Sequence, residues 1–117
     1  MGSDKKYDLS FLNRLSNADE NFIKEMIQTF KRTSPQIVLK MEKYLKSGNY
    51  RALGNEAHRL IPGISFLGAK KIEKDLVKIE KYANENIELD KIPALLRNVK
   101  RNIEELIIQF NIDYNIK

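Results

Sequence analysis

The 117-residue chain contains no cysteine and a single histidine, His58. Without cysteine, disulfide bonds and thiolate chemistry are excluded, and the composition fits a reducing cytoplasm. One histidine argues against a histidine-based zinc site, because zinc takes three or four nitrogen or sulfur ligands. No metal site is therefore predicted, and no reaction that depends on a cysteine nucleophile is expected.

Long apolar runs are also absent. No stretch approaches the roughly 20 apolar residues of a membrane span, and the N-terminus lacks a signal-peptide pattern. The net charge is +5, but the 21 lysines and arginines are interleaved with 16 acidic residues along the chain. This interleaving favours a solvated surface over a nucleic-acid-binding stripe. We therefore expect no direct membrane contact and no nucleic-acid partner.

Glycine and proline are scarce, with five and three residues, whereas good helix-forming residues abound. Apolar residues recur with a period close to 3.6 almost throughout the chain. The connections between the periodic segments are short, which makes neighbouring helices antiparallel. The predicted fold class is therefore all-α: an antiparallel up-and-down four-helix bundle with a short additional N-terminal helix.

Capping residues indicate where the helices begin and end. Ser16 is predicted as the N-cap of the second helix, Gly48 as its end, and Asn49 as the N-cap of the third. Asp90 is predicted as the N-cap of the last helix. The expected domain boundaries are a disordered or cloning-derived segment at 1–7, the bundle at 8–112 and a C-terminal tail at 113–117.

Two prolines lie inside the predicted helices. Proline lacks an N–H group and clashes with the preceding turn, so it destabilises a regular helix interior. Pro35 is therefore expected to bend or break the second helix. Pro62 is expected to kink the third helix or to widen its turn, four residues after the histidine.

His58 lies on the third predicted helix, about 140° around the axis from the apolar seam, so it should face solvent. An exposed histidine on its own is often an ordinary surface residue. Here Gly54, one turn earlier, leaves access to the imidazole, while Ile61, Pro62 and Phe66 add apolar surface. This combination indicates a docking surface around a nucleophile, because neutral imidazole offers one free lone pair near pH 7.

Two enzyme classes are disfavoured by the surroundings of the histidine. A hydrolase would need a nucleophile beside it, but Ser65 lies about two turns away along the helix. No glycine-rich phosphate-binding loop is present, so a nucleotide-dependent kinase is not expected.

The segment from 57 to 69, AHRLIPGISFLGA, resembles the core motif of the histidine-containing phosphotransfer (HPt) domain of bacterial multistep phosphorelays. The family motif has Ala-His, then Leu-Lys-Gly, and closes on Leu-Gly-Ala at the spacing found here. The resemblance covers residues 8–110. It includes Gly48-Asn49-Tyr50 before the histidine helix and Ile79-Glu80 on the helix that follows.

This resemblance implies that His58 accepts a phosphoryl group from the aspartate of a receiver domain and passes it to another receiver. The expected partners are receiver domains of response regulators, of a hybrid histidine kinase, or of both. The domain would bind no cofactor and have no ATPase or kinase activity, because the receiver supplies Mg²⁺ and most catalytic groups. We expect a cytoplasmic monomer, free-standing or the C-terminal part of a membrane-bound hybrid sensor kinase.

Two positions depart from the family motif, which has lysine and glycine where this chain has Ile61 and Pro62. Isoleucine cannot supply the positive charge that the lysine offers to the phosphoryl group. Arg59, Arg51 and Ser65 are the remaining candidate phosphate neighbours, with Arg51 about 10 Å along the axis from the histidine. A degenerate docking or scaffolding bundle that is not phosphorylated therefore stays open as the alternative.

Glu80 is a candidate for orienting the histidine. It lies about 70° from the seam of the fourth helix, at the edge that can border His58. A carboxylate there could accept the Nδ1–H and leave Nε2 as the nucleophile, but the position also fits an ordinary surface glutamate. The predicted receiver-docking surface comprises Phe11, Gly54, Asn55, Ile61, Pro62 and Phe66.

Overall fold

The computed structural model describes residues 6–17 and 19–114. These residues contain no β-strand, which confirms the all-α fold class. A 3-10 turn at Leu89–Lys91 precedes the last helix. The α-helices are α1 Ser10–Leu15, α2 Glu20–Ser47, α3 Tyr50–Phe66, α4 Lys70–Glu85 and α5 Ile92–Tyr114.

The four long helices pack as a bundle, as predicted. α3 packs most extensively on α4, while α2 contacts α3 and α5, and α5 also contacts α4. The predicted apolar seams form the core, because residues three or four apart lie on the same side of a helix. Buried seam residues of the last three helices are Leu53, Ala57, Leu60, Ile64, Leu67, Ile72, Leu76, Ile79, Ala83, Ile92, Leu96, Val99, Ile103, Leu106 and Phe110.

The turn between α2 and α3 has the predicted caps. Gly48 adopts a left-handed conformation with φ of 75°, which suits glycine because it has no Cβ to clash. The side chain of Asn49 accepts a hydrogen bond from the N–H of Ala52 at 3.2 Å. The third helix, which carries the histidine, therefore begins where the sequence indicates.

The N-cap of α2 is Asp19 rather than the predicted Ser16. The carboxylate of Asp19 accepts hydrogen bonds from the N–H groups of Asn21 and Phe22. The hydroxyl of Ser16 instead donates to the carbonyl of Leu12 and belongs to the end of α1. The prediction was wrong because a serine hydroxyl bonds equally well to the turn that precedes it.

The start of α5 also differs from the prediction. Asp90 lies inside the 3-10 turn Leu89–Lys91 and is not the N-cap of the α-helix. The turn follows Glu88, whose φ is 49°, and the α-helix begins at Ile92. Pro93 occupies the second helical position, where its missing N–H is not needed by the helix.

Neither internal proline interrupts its helix. α2 is α-helical through Pro35, and α3 is α-helical through Pro62 without a wider turn. The predicted break and the predicted widened turn were therefore wrong. Both proline rings are exposed, and buried residues on either side of them, such as Ser34 and Val38 around Pro35, keep each helix on the core.

The N-terminal segment is attached across the end of α3. The N–H of Asp8 donates to the carbonyl of Leu67 at 3.1 Å, and Leu9 and Leu12 are buried in the core. Gly68, with φ of 66°, allows this approach, since a Cβ there would lie 2.1 Å from the carbonyl oxygen of Asp8. This attachment carries α1 to the face of the bundle that bears the histidine helix.

The two ends of the described chain pack together. The ring of Tyr7 lies 4.6 Å from that of Phe110, and its hydroxyl donates to the carboxylate of Asp113. α5 continues through Tyr114, two residues past the expected domain boundary at 112. Residues 1–5 and 115–117, most of the two predicted terminal segments, lie outside the described residues.

Candidate functional site

The imidazole of His58 projects from α3 into solvent. Its side chain is 73% exposed, although the neighbouring Ala57 and Leu60 are buried in the core. The apolar seam therefore fixes the orientation of α3 and leaves the histidine on its outer side. This agrees with the solvent-facing position predicted from the helical spacing.

Glu80 of α4 holds one nitrogen of this imidazole. Its Oε2 lies 2.8 Å from the Nδ1 of His58, and its side chain is 26% exposed. Because an ionised carboxylate can only accept a hydrogen bond, Nδ1 carries the proton in this contact. Nε2 is then left with its lone pair, which is the arrangement that a nucleophilic imidazole needs.

Gly54 lies one turn before the histidine and is buried, so it does not form part of an exposed docking surface. A Cβ at this position would lie 2.3 Å from Oδ1 of Asn84 and 3.5 Å from the Cβ of Ala83. The glycine lets α4 approach α3 closely at this point. The prediction placed Gly54 on the surface because nothing in the sequence shows that α4 covers it.

The other predicted docking residues lie around His58 on two helices. Phe11 of α1 is 47% exposed and stacks on Phe66 of α3, with ring centroids 5.6 Å apart and planes at 23°. Pro62 is exposed and Ile61 is half-buried. The structure thus joins α1 to the outer face of α3 in one exposed apolar surface. Asn55, on the turn before the histidine, is exposed as well.

Within the described part of the chain, none of the three candidate phosphate neighbours forms a hydrogen bond or an ion pair with the imidazole. The Nη1 of Arg59 donates to the carboxylate of Glu56, at 3.1 Å from Oε1, and Glu56 is buried. The positive charge of Arg59 therefore balances a buried carboxylate. Arg51 and Ser65 are exposed.

The face of α4 beside the histidine was missing from the predicted site. Val77 lies one turn before Glu80 and is 48% exposed. Lys74 and Lys81 stand on either side of Val77 along the helix and are exposed as well. A helical wheel around Glu80 would have found Val77, which lies three residues earlier on the same face, whereas Lys74 and Lys81 lie about 100° to 120° from Glu80 around the axis.

The described residues contain neither a cluster of side chains that could hold a metal ion nor a helix that could span a membrane. They contain no group of three or more histidine, cysteine, aspartate or glutamate side chains that could hold a metal ion. Within 6–17 and 19–114, none of the helices combines the length and the apolar character that crossing a bilayer requires.

Comparisons with known proteins point to one family. The family model described as "Hpt domain" matches residues 25–109, which include the histidine and span most of α2 to α5. A similar solved structure is histidine-containing phosphotransfer protein B (HptB) from Pseudomonas aeruginosa PAO1, with a TM-score of 0.86 and 24% sequence identity. The alignment covers 98% of this chain and 100% of that chain, and it shows a shared fold. No match was found among curated proteins.

Proposed function

The chain belongs to the Hpt family of histidine phosphotransfer domains, and on this basis we propose that His58 is its phosphoacceptor. In the proposed relay, His58 takes a phosphoryl group from the aspartate of one receiver domain and passes it to another. The observation that carries the proposal is the 73% exposed imidazole whose Nδ1 lies 2.8 Å from Oε2 of Glu80.

The proposed step is an in-line transfer at phosphorus. The Nε2 lone pair of His58 forms the new N–P bond while the bond from phosphorus to the aspartate oxygen breaks and the carboxylate leaves. Glu80 keeps the proton on Nδ1 and stabilises the positive charge that develops on the ring. The receiver supplies Mg²⁺ at the phosphoryl oxygens, so this chain contributes positioning and the nucleophile.

The apolar surface around the histidine supports docking of a receiver domain. The stacked rings of Phe11 and Phe66, with Pro62 and Ile61 beside the imidazole, present exposed or half-exposed apolar area from two helices. Apolar surface at the centre of a contact excludes water, which strengthens the electrostatic interactions of the transfer. The proposed partners are response regulators or a hybrid histidine kinase in the cytoplasm, contacted by a monomer of this chain.

One observation favours a second function, that of a docking module without phosphorylation. Isoleucine occupies position 61, where the family motif has lysine, and the nearby Arg59 is paired with the buried Glu56. The face of α3 that bears His58 therefore offers little positive charge to a phosphoryl group. In this reading the apolar surface binds a receiver, but no phosphohistidine forms.

Phosphoryl transfer from a labelled receiver distinguishes the two functions. Purified receiver domains, phosphorylated in the presence of Mg²⁺, are mixed with the wild-type protein and with the His58→Gln variant. We expect acid-labile, alkali-stable phosphate on the wild type and none on the variant. Receiver binding without any label on the wild type would favour the docking module.

A further inference from the structure

The outer face of α4 carries several exposed lysines. None of its five lysines forms an ion pair with a described residue, whereas Lys6, Lys91 and Lys100 elsewhere each do. Glu80, the acidic residue next to Lys81, is engaged by the histidine. The lysines of α4 are Lys70, Lys71, Lys74, Lys78 and Lys81, and all but the half-buried Lys78 are exposed.

The packing of α3 on α4 places part of this face next to the phosphoacceptor. Glu80 lies opposite His58, and Asn84 lies opposite Gly54, so the two helices run antiparallel in a defined register. Ile61 lies three residues after His58 on α3, and Val77 lies three residues before Glu80 on α4. The same register therefore sets Val77 opposite Ile61. Val77 is 48% exposed and adds apolar surface to that of α3.

Lys74 and Lys81 flank this valine on the same side of α4. They lie three residues before and four residues after Val77, which are neighbouring positions on a helix surface. Around the axis they lie about 100° to 120° from Glu80, on the far side of Val77 from α3, so they stand at the outer edge of the surface that contains His58. On the α3 side, Arg59 is paired with Glu56, and the exposed Arg51 lies about two turns before His58.

A receiver domain presents the complementary charge. Its phosphoacceptor is a carboxylate, and the Mg²⁺ at its active site is held by further carboxylates, as this hard cation prefers oxygen ligands. The phosphoryl group in transit adds more negative charge. A partner of this kind therefore brings carboxylates and a phosphoryl group to its contact with His58.

We propose that Lys74 and Lys81 form a cationic rim on α4 that attracts the carboxylates around the phosphoacceptor of the receiver domain. This inference rests on the proposed function and names the charge pattern of the partner. The two lysines on α4 would supply the electrostatic attraction that Ile61, which is uncharged, cannot supply from α3. Charges at the edge of an interface act on the rate of association and on its salt dependence, more than on the chemistry within the complex.

The test compares two charge reversals that change the net charge equally. The first variant carries Lys74→Glu and Lys81→Glu on α4. The control carries Lys40→Glu and Lys43→Glu, two exposed lysines on α2 that form no ion pair with a described residue. Circular dichroism and urea unfolding establish that both variants fold, and both variants keep His58 and Glu80.

We expect the α4 variant to raise the KM for a phosphorylated receiver domain by about 10-fold at low salt while kcat changes little. The difference from wild type should shrink as NaCl increases from about 50 mM to about 500 mM, because salt screens charges at the rim of an interface. A third variant with Lys74→Arg and Lys81→Arg should behave as wild type. The α2 control should stay within about twofold of wild type.

Two outcomes would overturn the inference while leaving phosphotransfer intact. If the wild type is labelled and the KM of the α4 variant is the same as that of the wild type, the rim has no role. If KM is raised equally in the α4 variant and in the α2 control, the effect is a general one of net charge. If the wild type is not labelled, the proposed relay fails. The role of the two lysines is then tested by the Kd of each unphosphorylated protein for the same receiver domains. Equal Kd values for the two variants would then reject it.

Discussion

At the residue scale, the site depends on one contact between two helices. His58 is placed on the outer side of α3 by the apolar seam, and its ring is held through Nδ1 by Glu80 of α4. Glutamate at this position can only accept a hydrogen bond in its ionised form, so it selects the tautomer with a free Nε2. The reactivity of the histidine therefore depends on the packing of α3 against α4.

Substitutions of Glu80 test this positioning role. In Glu80→Gln the amide oxygen still accepts from Nδ1, so we expect a transfer rate within about threefold of wild type. In Glu80→Leu no acceptor remains, and we expect transfer roughly 10-fold slower, the effect typical of losing an orienting partner. The rates are measured with one phosphorylated receiver, and ¹⁵N NMR of the imidazole reports the tautomer.

A purely structural role for Glu80 predicts a different pattern. The tautomer would be the same in the wild type and in Glu80→Leu, and any loss of rate would follow a loss of folded protein. Urea unfolding of the three proteins separates these cases. Unchanged transfer in Glu80→Leu, with the same tautomer, would contradict the positioning role.

At the element scale, two glycines with positive φ have different functions. Gly48 ends α2 with φ of 75° and has open space where a Cβ would stand. Gly68 follows α3 with φ of 66°, but a Cβ there would lie 2.1 Å from the carbonyl oxygen of Asp8. Gly48 is needed only for the backbone conformation of its turn. Gly68 is needed for its turn and also for the close approach of the N-terminal segment, which brings α1 onto the bundle.

We expect Gly68→Ala to cost more stability than Gly48→Ala. Both place an L-residue in the left-handed region, which costs roughly 1–2 kcal/mol. Gly68→Ala must in addition displace the backbone at Asp8, so its total cost should exceed that of Gly48→Ala by about 1 kcal/mol or more. Urea unfolding of both variants measures the difference.

The same comparison reports on the docking surface. Displacing the backbone at Asp8 shifts α1, which carries Phe11 to its stack on Phe66. Gly68→Ala should therefore also weaken receiver binding, whereas Gly48→Ala should not. Equal unfolding free energies for the two variants would show that the N-terminal segment is not tightly held.

At the scale of the whole molecule, Tyr7 connects the beginning of the described chain to its end. Its ring packs on Phe110, and its hydroxyl donates to Asp113 near the end of α5. Burial, the hydrogen bond to Asp113 and the negative charge of that carboxylate raise the pKa of Tyr7 well above its ordinary value of 10.0. The folded protein therefore keeps a proton that the unfolded chain releases.

This difference predicts a loss of stability in alkali. The contribution of Tyr7 is fully present below pH 10 and declines as the pH rises toward its folded pKa, because deprotonation then favours the unfolded chain. Tyr7→Phe should lower the free energy of unfolding by about 1 kcal/mol at about pH 8, through the lost hydrogen bond. Between about pH 9 and about pH 11 it should lose less stability than wild type.

Urea unfolding across this pH range provides the measurement. Tyr114, whose pKa is also raised by burial, is present in both proteins. Parallel stability curves for wild type and Tyr7→Phe would contradict the prediction.

Local patterns predicted much of this protein. The apolar seams, the Gly48–Asn49 turn and the exposure of His58 follow from the period of the helix and from capping chemistry. Each depends on residues within one or two turns, so the sequence alone is sufficient. The phosphotransfer motif between 57 and 69 lies within one such segment, which is why the candidate nucleophile could be named from the sequence.

Other features depended on what packs against each helix. Gly54 is buried because α4 crosses it, and α2 continues through Pro35 because its flanking residues are held in the core. Asp19 caps α2 because Ser16 is used by the preceding turn. In each case a neighbouring element supplies free energy that outweighs or redirects a local preference.

The sequence by itself therefore determined the helices, their buried faces and the solvent-facing histidine. The sequence named Glu80 and Phe11 only as candidates, and the tertiary structure decided that Glu80 contacts Nδ1 of His58 and that Phe11 stacks on Phe66. The physical reason is that helix period is a local property, whereas contacts across helices depend on register and distance. Packing of α3 on α4 sets both, and it brings a carboxylate from 22 residues away to 2.8 Å from Nδ1.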